Sequence, residues 1–153
     1  MPNNRVKLSL TIDVAAPIET AFHYLTDWPR QKEWMLGTYV EIRSEADARS
    51  LGGEIAAFTG IGPLGFWDTM TITKWQAPTY VEVEHTGVLV RGMGYMRFEE
   101  VSESACRFEW GEELDLPLGV IGRIGFAVLK PLFVFGVKKS LKDFANRAAQ
   151  EPR

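Results

Sequence analysis

The stretch RFEWGEELDLPLGVIGRIGF, residues 107–126, contains the transition that decides the fold. Its first half alternates between apolar and polar residues, which is the period of a half-buried strand. Pro117 and Gly119 end that strand, and from Val120 to about Gln150 apolar residues recur at helical spacing. The sequence therefore predicts that the last strand is followed directly by one long C-terminal helix.

Six further strands are predicted upstream of this stretch, because short apolar alternations are separated by Gly, Pro and Ser turns. Two short helices, Ile18 to about Asp27 and Arg30–Met35, separate the first strand from the second. Short turns favour antiparallel pairing, since parallel pairing requires long crossovers. We expect one domain spanning residues 1–153. The six strands are predicted at residues 6–14, 39–44, 54–61, 66–75, 80–85 and 89–99.

The composition is that of a soluble globular protein, with 46% hydrophobic and 24% charged residues. A net charge of −3 without a basic cluster disfavours nucleic-acid binding. The single cysteine, Cys106, forms no internal disulfide and supplies no metal cluster. Residues 1–10 have no apolar segment of signal-peptide length. We therefore expect a cytoplasmic protein that needs neither a cofactor nor a metal.

Several segments, taken in order, are similar to one known family. They are APIETAF at residues 16–22, Trp34, Gly52-Gly53, ITKWQAP at 72–78, YMRFE at 95–99 and LDLPLG at 114–119. These segments resemble the START-like (SRPBCC) superfamily, which includes the polyketide cyclase/dehydrase family and the Bet v 1-type proteins. The resemblance implies an α+β helix-grip fold, in which a curved seven-stranded antiparallel sheet and the long helix enclose a cavity. Members bind lipids, polyketides, hormones or quinones, and only some are enzymes.

Three titratable residues are predicted on the inward face of the sheet. Asp68, His85 and Glu112 each lie two positions from an apolar residue of the same strand, so alternation places them on the apolar face. A carboxyl there tends to stay neutral and can donate a hydrogen bond to a ligand. The three residues are candidate acid/base groups; in the alternative interpretation they sit at frayed strand ends and reach water. A bulge near Gly65 or Gly87 would reverse the face.

The aromatic content, 12% of the chain, can either fill a core or line a cavity. For any one aromatic side chain, a place in the core is the simpler interpretation. Gly92-Met93-Gly94 lies in a strand and has no helix after it, so it is no dinucleotide motif; these glycines let the sheet bend or let a group approach its backbone. The predicted ligand-binding residues are Tyr24, Met70, Met96, Phe108, Trp110, Ile124 and Val128.

The long helix carries two apolar stripes on nearly opposite faces, so either it bends near Pro131 or its halves bury different faces. Arg123 and Lys130 interrupt the apolar segment 119–137 and argue against a membrane span. They are most simply a solvated face, or else a docking surface for a partner subunit or an anionic membrane. The first stripe is Ile121, Ile124, Val128, Leu132 and Phe135; the second is Val137, Leu141, Phe144 and Ala148.

Three functions are compatible with these patterns. The first is a protein that binds a small hydrophobic molecule in an internal cavity. The second is a polyketide cyclase or dehydratase, in which Asp68, His85 and Glu112, helped by Tyr24, move protons beside a carbonyl. The third is a lipid or quinone carrier that contacts a membrane through the C-terminal helix, which could alternatively form a homodimer.

Overall fold

The computed structural model describes residues 4–152 and contains seven strands and two α-helices. A 3₁₀ helix, Trp28–Glu33, takes the place of the second short helix that the sequence predicts at 30–35. The helices are α1 (Ile18–Thr26) and α2 (Gly119–Ala148), and the strands are β1 (Arg5–Val14), β2 (Thr38–Ile42), β3 (Glu54–Ile61), β4 (Leu64–Gln76), β5 (Tyr80–Thr86), β6 (Arg91–Ser102) and β7 (Ala105–Asp115).

The seven strands form a single antiparallel sheet in the order β1-β7-β6-β5-β4-β3-β2. Each strand from β2 to β6 pairs with the next one along the chain, as expected for short turns, and β1 pairs with β7. The sheet curls around α2, which runs along its concave face. The predicted α+β helix-grip fold is confirmed.

The C-terminal half of α2 is held to the sheet by aromatic packing around Phe144. The ring of Phe144 lies 5.2 Å from that of Phe108 and 5.1 Å from that of Trp34, measured between centroids. Phe108 in turn stacks on Phe98 at 4.7 Å. All four side chains are buried. Large aromatic side chains contribute more buried area than any others, so this cluster is the centre of the core.

A bulge in β4 changes which side chains face α2. Ile72 pairs with Val83 and Lys74 with Glu82, so the strand carries one extra residue between them. Strict alternation from Ile72 would direct Lys74 inward. The bulge instead places Trp75 on the concave face, where its ring meets the edge of Phe22 at 5.3 Å. The core gains an aromatic ring where the uninterrupted pattern would put a charge.

The two apolar stripes of α2 differ in burial. The second stripe packs into the core, whereas the first is exposed along its whole length. Ile124 is 61% exposed and Val128 is 73% exposed, so the prediction that these two residues line an enclosed cavity is wrong. The reason is that α2 is one continuous helix through Pro131, and a single inward face cannot contain both stripes. Neither alternative drawn from the sequence describes this, because the first stripe is not buried at all.

Candidate functional site

The concave face carries a histidine held between two carboxylates. Nδ1 of His85 lies 2.8 Å from Oδ1 of Asp68, and its Nε2 lies 2.7 Å from Oε2 of Glu112. The His85 side chain is 3% exposed, while those of Asp68 and Glu112 keep 16% and 12% of their surface accessible. We call these three residues the acidic–histidine triad. The parity argument from the sequence thus placed all three side chains on the correct face, although their functional role stays a prediction.

The sheet register explains how residues from three strands meet. His85 on β5 lies opposite Met70 on β4, and Asp68 is two positions from Met70 on the same face. On the other side, β6 separates β5 from β7, with Gly94 opposite Glu112. The side chain of Glu112 must therefore cross the backbone of β6 to reach the imidazole.

Gly94 makes this crossing possible. A Cβ atom at position 94 would lie 2.9 and 3.0 Å from the two carboxylate oxygens of Glu112, closer than side chains normally approach. The absence of a side chain leaves the channel that the carboxylate occupies. This agrees with the interpretation that the glycines of β6 let a group approach the backbone.

The charge state of the triad follows from its hydrogen bonds. Both ring nitrogens of His85 face a carboxyl oxygen, and a cationic imidazole donates a hydrogen bond to each of them. Burial lowers the pKa of His85, but the hydrogen bonds and negative charges of Asp68 and Glu112 outweigh burial and raise that pKa to about 10. Burial also raises the pKa of Glu112 above the usual range of a carboxyl, despite the opposing effect of His85. The triad therefore retains protons that the same groups would lose in water.

Apolar side chains of the sheet and of α2 surround the triad. Met70 is partly buried next to His85, and Trp110 faces Phe133 of α2 at a ring distance of 6.2 Å. Phe126 lies two helical turns nearer the N-terminus of α2, with its ring 6.3 Å from that of Phe133. Of the predicted ligand-binding residues, Met70 and Trp110 thus lie in the part of the concave face that contains the triad.

Three other predicted residues belong to the packed core. Phe108 is completely buried among aromatic rings, and Met96 is buried opposite Trp110. Tyr24 is also completely buried, stacks on Phe144 at 5.6 Å and donates a hydrogen bond to Glu33 at 2.9 Å. Burial and this bond raise the pKa of the Tyr24 hydroxyl well above its ordinary value. The structure therefore places Tyr24 in the core around Phe144, and its predicted contact with the ligand and its help to the triad stay predictions.

The sequence reasoning missed three residues of this region, and the signals for them were present. Phe126 and Phe133, not Ile124 and Val128, face the sheet. Extending the second stripe toward the N-terminus of α2 in steps of four and seven residues from Val137 would have found both. For Gly94, the signal in the sequence was its position on the strand between the predicted inward residues of β5 and β7.

Surface depressions occur elsewhere in the structure. One of about 640 Å³ opens beside the 3₁₀ helix and the edge strand β2, where Tyr39, Phe58 and Gly60 are among its lining residues. It contains none of the triad residues. It is open to solvent and its lining includes no buried charged group, so we place the candidate site on the concave face. Within residues 4–152, no group of His, Cys, Asp and Glu has an arrangement that could hold a metal ion.

Comparison with known proteins agrees with this architecture. Residues 5–150 match the family described as polyketide cyclase/dehydrase and lipid transport, and the chain belongs to this family, within the START-like superfamily. No curated protein matches the chain.

Similar solved structures extend over nearly the whole chain. The Zhui aromatase/cyclase from Streptomyces sp. R1128 has a TM-score of 0.78 at 14% identity, covering 97% of this chain and 96% of its own. A START superfamily protein from Mycobacterium smegmatis has a TM-score of 0.73 at 13% identity, with coverages of 92% and 97%. A norcoclaurine synthase from Thalictrum has a TM-score of 0.66 at 13% identity, with 95% of each chain covered. At these identities the likeness shows the fold.

The raised pKa of His85 predicts a stability that falls with rising pH. The folded protein holds the imidazole proton up to about pH 10, whereas the unfolded chain releases it near pH 6.5. The stabilisation is therefore complete below pH 6.5 and is lost as the pH rises from there to about 10. Urea unfolding of the wild type at several pH values should show this decline, and His85→Gln should flatten it. His23→Gln, outside the triad, is the control and should leave the slope unchanged.

Replacement of Gly94 tests the geometry of the triad without removing a titratable group. In Gly94→Ala, the new methyl group occupies the space of the Glu112 carboxylate, so we expect Glu112 to move away from His85. The pKa of His85, measured by NMR titration of its ring protons, should fall below the wild-type value. Gly125→Ala is a matched control because a Cβ at position 125 meets no atom within 4 Å. An unchanged His85 titration in Gly94→Ala would contradict the proposed contact.

Proposed function

We propose that the chain binds a small, largely apolar molecule that carries an oxygen group, between the concave face of the sheet and α2. The observation that carries this proposal is the acidic–histidine triad on an otherwise apolar, inward-facing surface. Buried charges are costly unless they are paired, and even a paired cluster is often no more stable than an apolar replacement. A cluster in this position is therefore poorly explained by stability alone.

The two carboxyl groups have the geometry to contact a ligand. His85 uses Oδ1 of Asp68 and Oε2 of Glu112. Among residues 4–152, the second oxygen of each carboxyl has no hydrogen-bond partner, and each side chain keeps an accessible edge. The free oxygen of either carboxyl could accept a hydrogen bond from a ligand hydroxyl, and Glu112, whose pKa is raised by burial, could donate one to a ligand carbonyl when it carries a proton. A few fixed polar groups in an apolar wall are the usual way in which such a site orients a ligand.

The apolar wall would supply most of the affinity. Met70 and Trp110 of the sheet, together with Phe133 of α2, offer a flexible thioether and two aromatic rings beside the triad. Flat, conjugated or acyl molecules suit such a wall better than sugars or nucleotides. The family description, which includes polyketide chemistry and lipid transport, supports the same chemical range.

The binding site can be tested with two planar probes, 1,8-dihydroxyanthraquinone and anthracene. Isothermal titration should show that the wild type binds the hydroxylated quinone more tightly than anthracene. Trp110→Ala should weaken both probes by roughly tenfold, the equivalent of ~1.4 kcal/mol. Glu112→Gln should weaken only the quinone. Trp67→Ala, on the convex face and 40% exposed, is the matched control, and an equal loss in it would place the binding elsewhere.

A second candidate function is a cyclase or dehydratase, which the raised pKa of Glu112 favours. With a pKa of about 10, His85 keeps its proton at neutral pH and positions the carboxyl groups. Proton transfer would then fall to them: Asp68 would remove a proton from the carbon beside a ligand carbonyl, and Glu112, when it carries a proton, would donate it to the carbonyl oxygen. Reversal of both transfers restores the ketone.

Exchange of deuterium from solvent into a simple β-diketone tests this chemistry by NMR. If the site acts as an acid/base pair, the wild type should accelerate exchange over buffer, and Asp68→Asn should abolish the acceleration. Asp115→Asn, on the same sheet but at an exposed ion pair with Arg5, serves as the control. Acceleration that survives in Asp68→Asn would remove the catalytic assignment while leaving ligand binding intact.

A further inference from the structure

Every turn at one end of the sheet exposes large aliphatic side chains. The register places the turns 61–64, 87–90 and 115–118 at the same end, because Arg5, Thr86, Arg91 and Asp115 align across four adjacent strands. The exposed side chains are Ile61 at 87%, Leu64 at 79%, Val88 at 87%, Leu89 at 60% and Leu118 at 77%.

The opposite end of the sheet has a different character. Its turns are at residues 43–53, 77–79 and 103–104; the first and the last contain Ser and charged residues, and the middle one is Ala-Pro-Thr. Of the residues that the structure describes, two large aliphatic ones are exposed at this end, Leu51 at 69% and Val101 at 58%, against five in the turns at the other end. The exposed apolar surface is therefore concentrated at one end rather than scattered singly, and a concentrated patch marks an interaction surface.

The N-terminal half of α2 extends this surface. Helix α2 begins at the same end of the sheet, and the first stripe remains exposed from Ile121 to Phe135. Its seventeen residues from Gly119 to Phe135 span about 25 Å. By length and composition α2 could cross a membrane. However, its last turns bury Leu141 and Phe144 in the core, so crossing would require the domain to open. We call residues 119–135 and the three turns the apolar end.

The outward face of α2 changes from apolar to cationic at Gly136. On a helical projection, Lys138, Lys139 and Lys142 follow the same outward face as Ile124 and Val128. All three lysines are exposed, and Lys139 also pairs with Asp143 at 2.8 Å. An apolar surface bordered by a row of cations matches the layered structure of an anionic bilayer, whose acyl chains lie beneath phosphate groups.

We propose that the apolar end docks on the surface of an anionic lipid bilayer. The three turns and the first stripe enter the interface, and Lys138 and Lys142 contact the lipid phosphates. A second copy of the chain fits the apolar end less well, because an interface between two copies would gain nothing from a row of lysines directly beside the apolar stripe. The proposal is independent of the ligand site, since none of the triad residues takes part.

A single labelled cysteine tests the docking directly. The natural Cys106 is 1% exposed, and burial raises the pKa of its thiol to about 11, so thiol reagents will spare it. Val128→Cys, labelled with a polarity-sensitive dye, should shift its emission to the blue with vesicles of phosphatidylcholine and phosphatidylglycerol. Leu51→Cys, 69% exposed at the opposite end, is the matched control and should show no shift.

Charge substitutions test the role of the lysines. In the label background, Lys138→Gln with Lys142→Gln should reduce vesicle partitioning by roughly tenfold or more, given the known contribution of each cation near an anionic surface. Lys32→Gln with Lys74→Gln removes the same charge elsewhere and should change partitioning by less than about twofold.

Three outcomes would overturn the proposal. The Val128 label could show no shift, the Leu51 label could shift equally, or both lysine pairs could weaken binding equally. Sedimentation velocity on the unlabelled protein tests the alternative, in which a second copy of the chain binds the apolar end. A wild-type dimer that Ile124→Ser with Val128→Ser converts to monomer, together with no vesicle binding, would assign the apolar end to a second copy.

Discussion

The packing of Phe144 against the aromatic side chains of the sheet and of the small helices is the interaction on which the rest of the structure depends. It fixes only the C-terminal half of α2, through rings 5.1–5.6 Å apart. Because α2 packs into the core there, its N-terminal half extends over the concave face without being buried in it. The site and the apolar end are both consequences of this one-sided attachment.

The triad depends on a second constraint, which is an absent side chain. Asp68, His85 and Glu112 come from three strands, and the strand between the last two carries Gly94, where a Cβ would lie 2.9–3.0 Å from the carboxylate oxygens of Glu112. The sheet thus provides both the groups and the gap. His85 retains its proton because the hydrogen bonds and charges of the two carboxyl groups outweigh burial, whereas burial raises the pKa of Glu112 against the effect of His85. Geometry, rather than residue type alone, therefore sets the chemistry of the site.

The sequence predicted the strands, the long helix and the inward face of the triad because each depends on local periodicity. Period-two alternation survives along β4, β5 and β7 up to each titratable residue, and the bulge in β4 comes after Asp68 rather than before it. The placement of Ile124 and Val128 could not be obtained this way. Two apolar stripes give equal periodic signals, and only the aromatic contacts of Phe144 decide which one is buried. The core position of Tyr24 could not be obtained from periodicity either, since its partner Glu33 lies on a separate helix and the contact requires the folded chain.

Because α2 is attached at one end, a small rotation there moves its other end by a larger distance. Oγ of Ser140 accepts a hydrogen bond from the backbone N–H of Leu36 at 2.9 Å. This bond fixes the helix at the point where it leaves the core. From Ser140 to Gly119 the arm measures about 32 Å. A rotation of α2 by ~10° about Ser140 therefore displaces Gly119 by about 5 Å. Phe133, which faces Trp110, lies only about 10 Å from Ser140, so the same rotation moves its ring by about 2 Å; small rotations at Ser140 would therefore displace the apolar end much more than the contact with Trp110.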